Sequence, residues 1–137
     1  MKRLLYAVAL ATLVCAVPMA AASKSTDPST IILNTPSTAS ATPWEPRLGD
    51  WVTFTVTYPK TLDHYGVRIQ VLCYQNGNLV YGEAGPYDQS FLLGGAMSPW
   101  YVNDGPATCH ADLYYWSYNG GQKFNPLASV EFAAEGR

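Results

Sequence analysis

Three stretches of this chain alternate apolar and polar residues with a period of two, and two of them hold a cysteine each. Residues 51–58 place Val52, Phe54, Val56 and Tyr58 on one side and Trp51, Thr53, Thr55 and Thr57 on the other. In residues 67–74, Val67, Ile69, Val71 and Cys73 share a face, opposite Arg68, Gln70, Leu72 and Tyr74. In residues 108–116, Cys109, Ala111, Leu113 and Tyr115 share a face, opposite His110, Asp112, Tyr114 and Trp116. A period of two marks a strand packed on one face and wet on the other. Beyond residue 22 no stretch carries a convincing 3.6-residue period, so an all-β fold is expected.

Residues 1–22 read as a secretory signal peptide. Lys2 and Arg3 form its charged start, residues 4–17 its apolar stretch, and Ala20-Ala21-Ala22 its small-residue cleavage site. Cys15 leaves with it. A lipoprotein signal also ends at a cysteine, but with a small residue just before it. Here Leu13 and Val14 precede Cys15, so the Ala-x-Ala site is the better candidate. The mature chain, from Ser23, keeps Cys73 and Cys109, and these two are expected to form one disulfide in an oxidising, extracellular setting.

The remaining residues, 23–137, amount to one domain with a thin core, for which a covalent staple is useful. With Lys2 and Arg3 gone, the 8 basic residues fall to 6 against 10 acidic ones. No basic run exists, which argues against nucleic acid as a partner. After the signal no apolar run approaches the ~20 residues of a membrane span. Three segments are expected: the signal at 1–22, a Ser/Thr/Pro-rich arm at 23–47, and the β domain at 48–137. The arm carries one β-type run, Thr30-Ile31-Ile32-Leu33, read as a first edge strand. Pro36, Pro43 and Pro46 forbid a central strand before residue 47.

Turns punctuate the rest. Leu48-Gly49-Asp50 precedes the first firm strand. Asn76-Gly77 supplies the positive φ angles of a tight hairpin, with residues 78–81 returning. Residues 89–93 read as a short strand broken by Gly94-Gly95, with 99–102 either its continuation or a separate short strand. Asn103-Asp104-Gly105-Pro106 is a turn cluster, and Asn119-Gly120-Gly121 marks another hairpin, answered by residues 127–133. Seven or eight short strands with regular turn clusters describe an antiparallel β-sandwich.

At this level the residues carry a resemblance. Leu48-Gly49-Asp50 followed by Val52-Thr53-Phe54-Thr55-Val56 resembles the second strand of bacterial immunoglobulin-like domains. Cys109 with Ala111 and Leu113 resembles their sixth. The likeness spans about residues 29–135, and the Ala-rich, Lys/Arg-led signal looks bacterial, of actinobacterial origin or from a phage of such hosts. The likeness implies an immunoglobulin-like sandwich serving adhesion, recognition or display. The chain also departs from that pattern. The second strand has no cysteine, and Cys73 lies in the third, where such domains carry a core Trp. If the family's strand order holds, the third and sixth strands are neighbours, and the disulfide joins strands within one sheet. The tyrosine two residues before the last cysteine is also missing, with Pro106-Ala107-Thr108 standing there instead.

Catalytic chemistry finds little support. His110-x-Asp112 puts an imidazole and a carboxylate on one strand face, but no further Cys or His is at hand to complete a metal site, since His64 lies in a distant loop. No Gly-x-Ser-x-Gly elbow occurs, the acids are scattered, and the paired glycines open no helix. No catalytic residue, metal or cofactor is implied. The ligand-binding candidates are Tyr74, His110, Asp112, Tyr114 and Trp116, an outward aromatic and polar set beside Arg68 and Gln70. Flat rings beside hydrogen-bonding groups suit an extracellular glycan or protein. The alternative is that these rings are packing, covered by the N-terminal arm or the 82–90 loop. Trp51 and Trp100 read as core or rim. The expected function is a secreted, non-catalytic binding module; the alternative is a structural or display protein of an envelope or virion with no small ligand.

Overall fold

The structure, a computed structural model, describes residues 28–37, 39, 44–95 and 98–137. The expected signal, its cleavage site and Cys15 lie outside these residues. The described chain is an all-β sandwich of antiparallel sheets with eight strands. They are β1 (Thr30–Leu33), β2 (Trp51–Val52), β3 (Phe54–Thr57), β4 (Arg68–Gln75), β5 (Asn78–Pro86), β6 (Phe91–Leu92), β7 (Ala107–Ser117) and β8 (Lys123–Ala134).

One layer is a four-stranded sheet of order β5-β4-β7-β8. The other is thinner. There β2 and β3 form one nearly continuous run that changes partner at Thr53: β2 pairs with β6, β3 with β1. The Asn34 backbone N–H donates to the Thr53 carbonyl at the changeover, at 3.0 Å. The Asn34 side chain ties the same two segments, donating to Thr53 Oγ1 and accepting from Thr55 Oγ1.

Alternation decides which side chains meet between the layers. Ile31, Val52 and Phe54 from the thin layer are buried against Ile69, Val71, Ala111 and Leu113 of the four-stranded sheet. Phe54 spans the gap. Its ring lies 6.0 Å from Phe91 within its own layer and 6.2 Å from Phe132 on β8. Apolar burial of this kind is the main favourable term in folding. On the opposite side of β3, Thr55 and Thr57 are exposed, as the threonine face of the strand requires.

The disulfide joins Cys73 to Cys109, which sit directly opposite each other in the β4–β7 register with Cα atoms 4.0 Å apart. Both are fully buried on the inner face. The bond therefore ties adjacent strands of one sheet and not the two layers.

Four boundaries differ from those expected. Residues 99–102 do not form a strand; Trp100–Asn103 is a single helical turn, α1. Pro99 enters it with φ −56° and ψ −21°, and Asp104 leaves it in the left-handed region. Trp100 is completely buried, and its indole N–H donates to the Gly105 carbonyl at 2.7 Å. Residues 89–93 contribute only the two-residue β6. In contrast β5 runs on to Pro86 and β8 begins at Lys123. Their Gly and Pro residues are tolerated because both strands lie at sheet edges. Pro126 also sits where the β7–β8 register shifts, between Leu113 and Tyr114. The loop around His64 is the 3-10 helix Lys60–Tyr65. Trp51 is 63% exposed on the thin layer, so it is not core.

Both hairpin turns take the expected form. Asn76 and Gly77 have φ of 50° and 80°, and Gly120 and Gly121 have φ of 73° and 147°.

Two expected outcomes follow from this packing. Replacing both Cys73 and Cys109 by Ala opens a closed loop of sequence separation 36, and chain entropy puts the cost at about 3–4 kcal/mol. Denaturant unfolding of the variant checks it, and intact mass of the native chain should lie two hydrogens below the reduced form. Phe54→Ala and Leu113→Ala should each cost about 2–5 kcal/mol, whereas Thr55→Ala, losing an exposed hydrogen bond, should cost about 1 kcal/mol or less. Equal losses at Phe54 and Thr55 would contradict the one-sided burial of β3.

Candidate functional site: the outer face of the four-stranded sheet

The residues of β4 and β7 that turn away from the core form rows across the sheet, fixed by the register. Tyr74 faces Thr108 and Ala133; Leu72 faces His110 and Glu131; Gln70 faces Asp112 and Ser129; Arg68 faces Tyr114 and Pro126. Trp116 faces Phe124 on β8. Every outward residue of the two edge strands is exposed: Leu79, Gly82, Ala84 and Pro86 on β5, and Phe124, Pro126, Ser129, Glu131 and Ala133 on β8. No described element lies over this face. The strand of the N-terminal arm, β1, packs in the other layer, against the inner side of β7 and β8.

The five candidate residues share this face; four of them divide into two groups, with Asp112 between. At one end Tyr74 and His110 meet edge to face, with ring centroids 5.9 Å apart. The His110 Nδ1 lies 3.5 Å from a Glu131 carboxylate oxygen across the β7–β8 pair. At the other end Tyr114, Trp116 and Phe124 make a three-ring cluster. Phe124 lies 4.8 Å from Tyr114 and 5.4 Å from Trp116, and Trp116 stands nearly perpendicular to Tyr114 at 6.1 Å. His110 and Tyr114 are four residues apart on one strand, roughly 13 Å at the usual rise. Between them runs the polar row Gln70, Asp112 and Ser129.

Side of the sheet and exposure are separate matters here. Tyr114 points outward yet is only 5% exposed, because Trp116 and Phe124 close over it. Trp116 is half-buried, and Phe124 stays 39% exposed. Phe124 is absent from the candidates read from sequence, since the returning strand is expected there only from residue 127. The signal that finds it is hairpin counting: Trp116 and Phe124 stand equally far from Gly120, so a tight turn there sets them opposite each other.

Asp112 and His110 lie on successive outward positions of β7, but among the described residues no three His, Cys, Asp or Glu side chains gather as a metal cluster. Among the described residues, too, no helix is long and apolar enough to cross a membrane. On the inner edge a small network stands apart. The Tyr81 hydroxyl donates to Glu83 Oε2 at 2.6 Å, and the Gln89 amide donates to Glu83 Oε1 at 2.8 Å. Burial, then the Glu83 carboxylate, push the Tyr81 phenol well above its ordinary value. No known protein family, curated protein or solved structure matches the chain.

Two measurements test this geometry. Tyr114→Ala should destabilise by about 3 kcal/mol, as a buried ring, and Trp116→Ala by about 1–2 kcal/mol, as a half-buried one. Stability should also fall as pH rises above 10. In that range the unfolded chain has lost the Tyr81 proton, whose ordinary pKa is 10.0, while the folded chain still holds it. Denaturant midpoints at pH 9 and 11 check the sign, and Tyr81→Phe should flatten the difference.

Proposed function

We propose that the chain is an exported, non-catalytic binding module of immunoglobulin-like type, which recognises an extracellular glycan or protein through the outer face of its four-stranded sheet. One observation carries this reading. The face is uncovered by any described element, and it holds a three-ring cluster and a Tyr74–His110 pair on either side of a hydrogen-bonding row. A flat surface with aromatic anchors and polar groups between them is the composition of a recognition patch. The strand order β5-β4-β7-β8 also supports the immunoglobulin-like assignment, because such sandwiches place the third strand beside the sixth, with the seventh on its far side. Export is supported by the charge, apolar run and Ala-rich end of residues 1–22 and by the Cys73–Cys109 disulfide.

The test is binding of the secreted chain to a glycan array and to intact cell surfaces, compared with a Trp116→Ala/Phe124→Ala variant. The expected result is saturable binding to one ligand class that the double variant loses while keeping its β-sheet circular dichroism. Binding unchanged in the folded variant would remove this face from the site. No binding to any surface, with the chain instead recovered as a stoichiometric component of an envelope or virion, would establish the display role.

A further inference from the structure

A pocket of about 300 Å³ opens at one end of the sandwich, lined by Val56, Thr57, Tyr58, Lys60, Asp63 and Tyr87. That volume is at the low end of small-molecule sites. Its walls come from two parts of the chain. The end of β3, the link after it and the following 3-10 helix supply five of the residues, and the turn after β5 supplies Tyr87. The two tyrosine rings stand 5.5 Å apart at 69°. Tyr58 is half-buried and Tyr87 is 39% exposed.

The polar groups around these rings are mixed in kind. Burial, then the Tyr87 hydroxyl and the Asp63 carboxylate beside it, push the Tyr58 phenol above its ordinary value, so Tyr58 is a neutral donor at physiological pH. Lys60 and Asp63 contribute one ammonium and one carboxylate. Among the described residues neither takes part in an ion pair; the two such pairs are Arg47–Glu135 and His110–Glu131. Thr57 adds a hydroxyl. The pocket thus offers two ring surfaces, donors, acceptors and no net charge.

We infer that this pocket is a subsite for a single neutral sugar ring. A pyranose has an apolar C–H face, which needs a ring to lie against, and a rim of hydroxyls that both donate and accept. Tyr58 and Tyr87 fit the first need. Asp63, Lys60, Thr57 and the phenols fit the second. A cationic ligand would meet Lys60, and an anionic one Asp63. A purely apolar ligand would strip water from both charges without replacing it. The inference shares with the reading above only the idea of a glycan ligand. It names another site, at the end of the sandwich, so the two stand or fall separately.

The test is titration of the isotope-labelled chain with glucose, N-acetylglucosamine and their β-1,4-linked tetramers, followed by amide chemical shifts, with choline and glucuronate as charged controls. The expected result is saturable shifts confined to residues 56–63 and 85–89, with a Kd on the order of 1 mM for at least one neutral sugar. Tyr87→Ala should abolish them with the rest of the spectrum unchanged, and Asp63→Asn should weaken them roughly tenfold, a loss of about 1.4 kcal/mol. If Tyr87→Ala unfolds the chain, Tyr87→Phe and Asp63→Asn carry the test, since both keep the packing. Trp116→Ala should leave these shifts intact. Shifts from choline or glucuronate alone, shifts surviving Tyr87→Ala and Asp63→Asn, or no shift with any neutral sugar would each overturn the inference.

Discussion

The pairing of β4 with β7 is the contact on which the rest of the molecule rests. These are the two interior strands of the larger sheet, and their inward residues, from Ile69 to Cys73 and from Cys109 to Leu113, are almost completely buried. A bond between Cys73 and Cys109 fixes their relative register by covalent means. A slip of one residue would turn every core side chain outward, so a locked register settles both faces together. The inner face becomes a floor for the thin layer, and the outer face becomes a defined grid of side chains. The aromatic end, the polar row and the Tyr74–His110 pair all take their places from that one register.

Much of this is legible in the sequence. The β-bridged partners Cys73 and Cys109 each sit in phase with an apolar alternation, and so did Phe54 and Leu113 in the core. The edge strand at residues 30–33 and both Asn-Gly hairpins were equally plain, because turn chemistry and period two are local signals. What escaped reading was non-local. Pro126 looks like the end of a strand until it is known to lie on a sheet edge at a register shift, where a missing N–H costs nothing. Gly82, Gly85 and Pro86 hide the length of β5 for the same reason. Trp100 looks like a strand residue, yet it is a plug held by a helical turn and by the Gly105 carbonyl, a contact that no pattern in residues 99–102 announces.

The candidate surface shows the same limit from another side. Alternation assigned Tyr114 and Trp116 to the correct side of the sheet, but it does not report how deep a ring lies. Depth depends on neighbours across strands, and Phe124 is the neighbour that closes over Tyr114. The pocket between Tyr58 and Tyr87 was invisible in sequence, because its two rings are separated by two strands and meet only after the sandwich has closed. Its Lys60 and Asp63 look in sequence like solvated loop charges. Their meaning comes from the rings that they border.

The placement of the covalent bond within one sheet also governs how the molecule would answer a mechanical load. Residues 74–108, which include β5, β6 and α1, form a closed ring that cannot lengthen while the bond is intact. The strands β1, β2, β3 and β8 lie outside that ring. Tension applied through the two ends of the domain would therefore draw out β1 and β8 and part the two layers, then stop at Cys73 and Cys109. A chain built this way falls short of its full contour length under force by the length of that ring, with the bond as the stop.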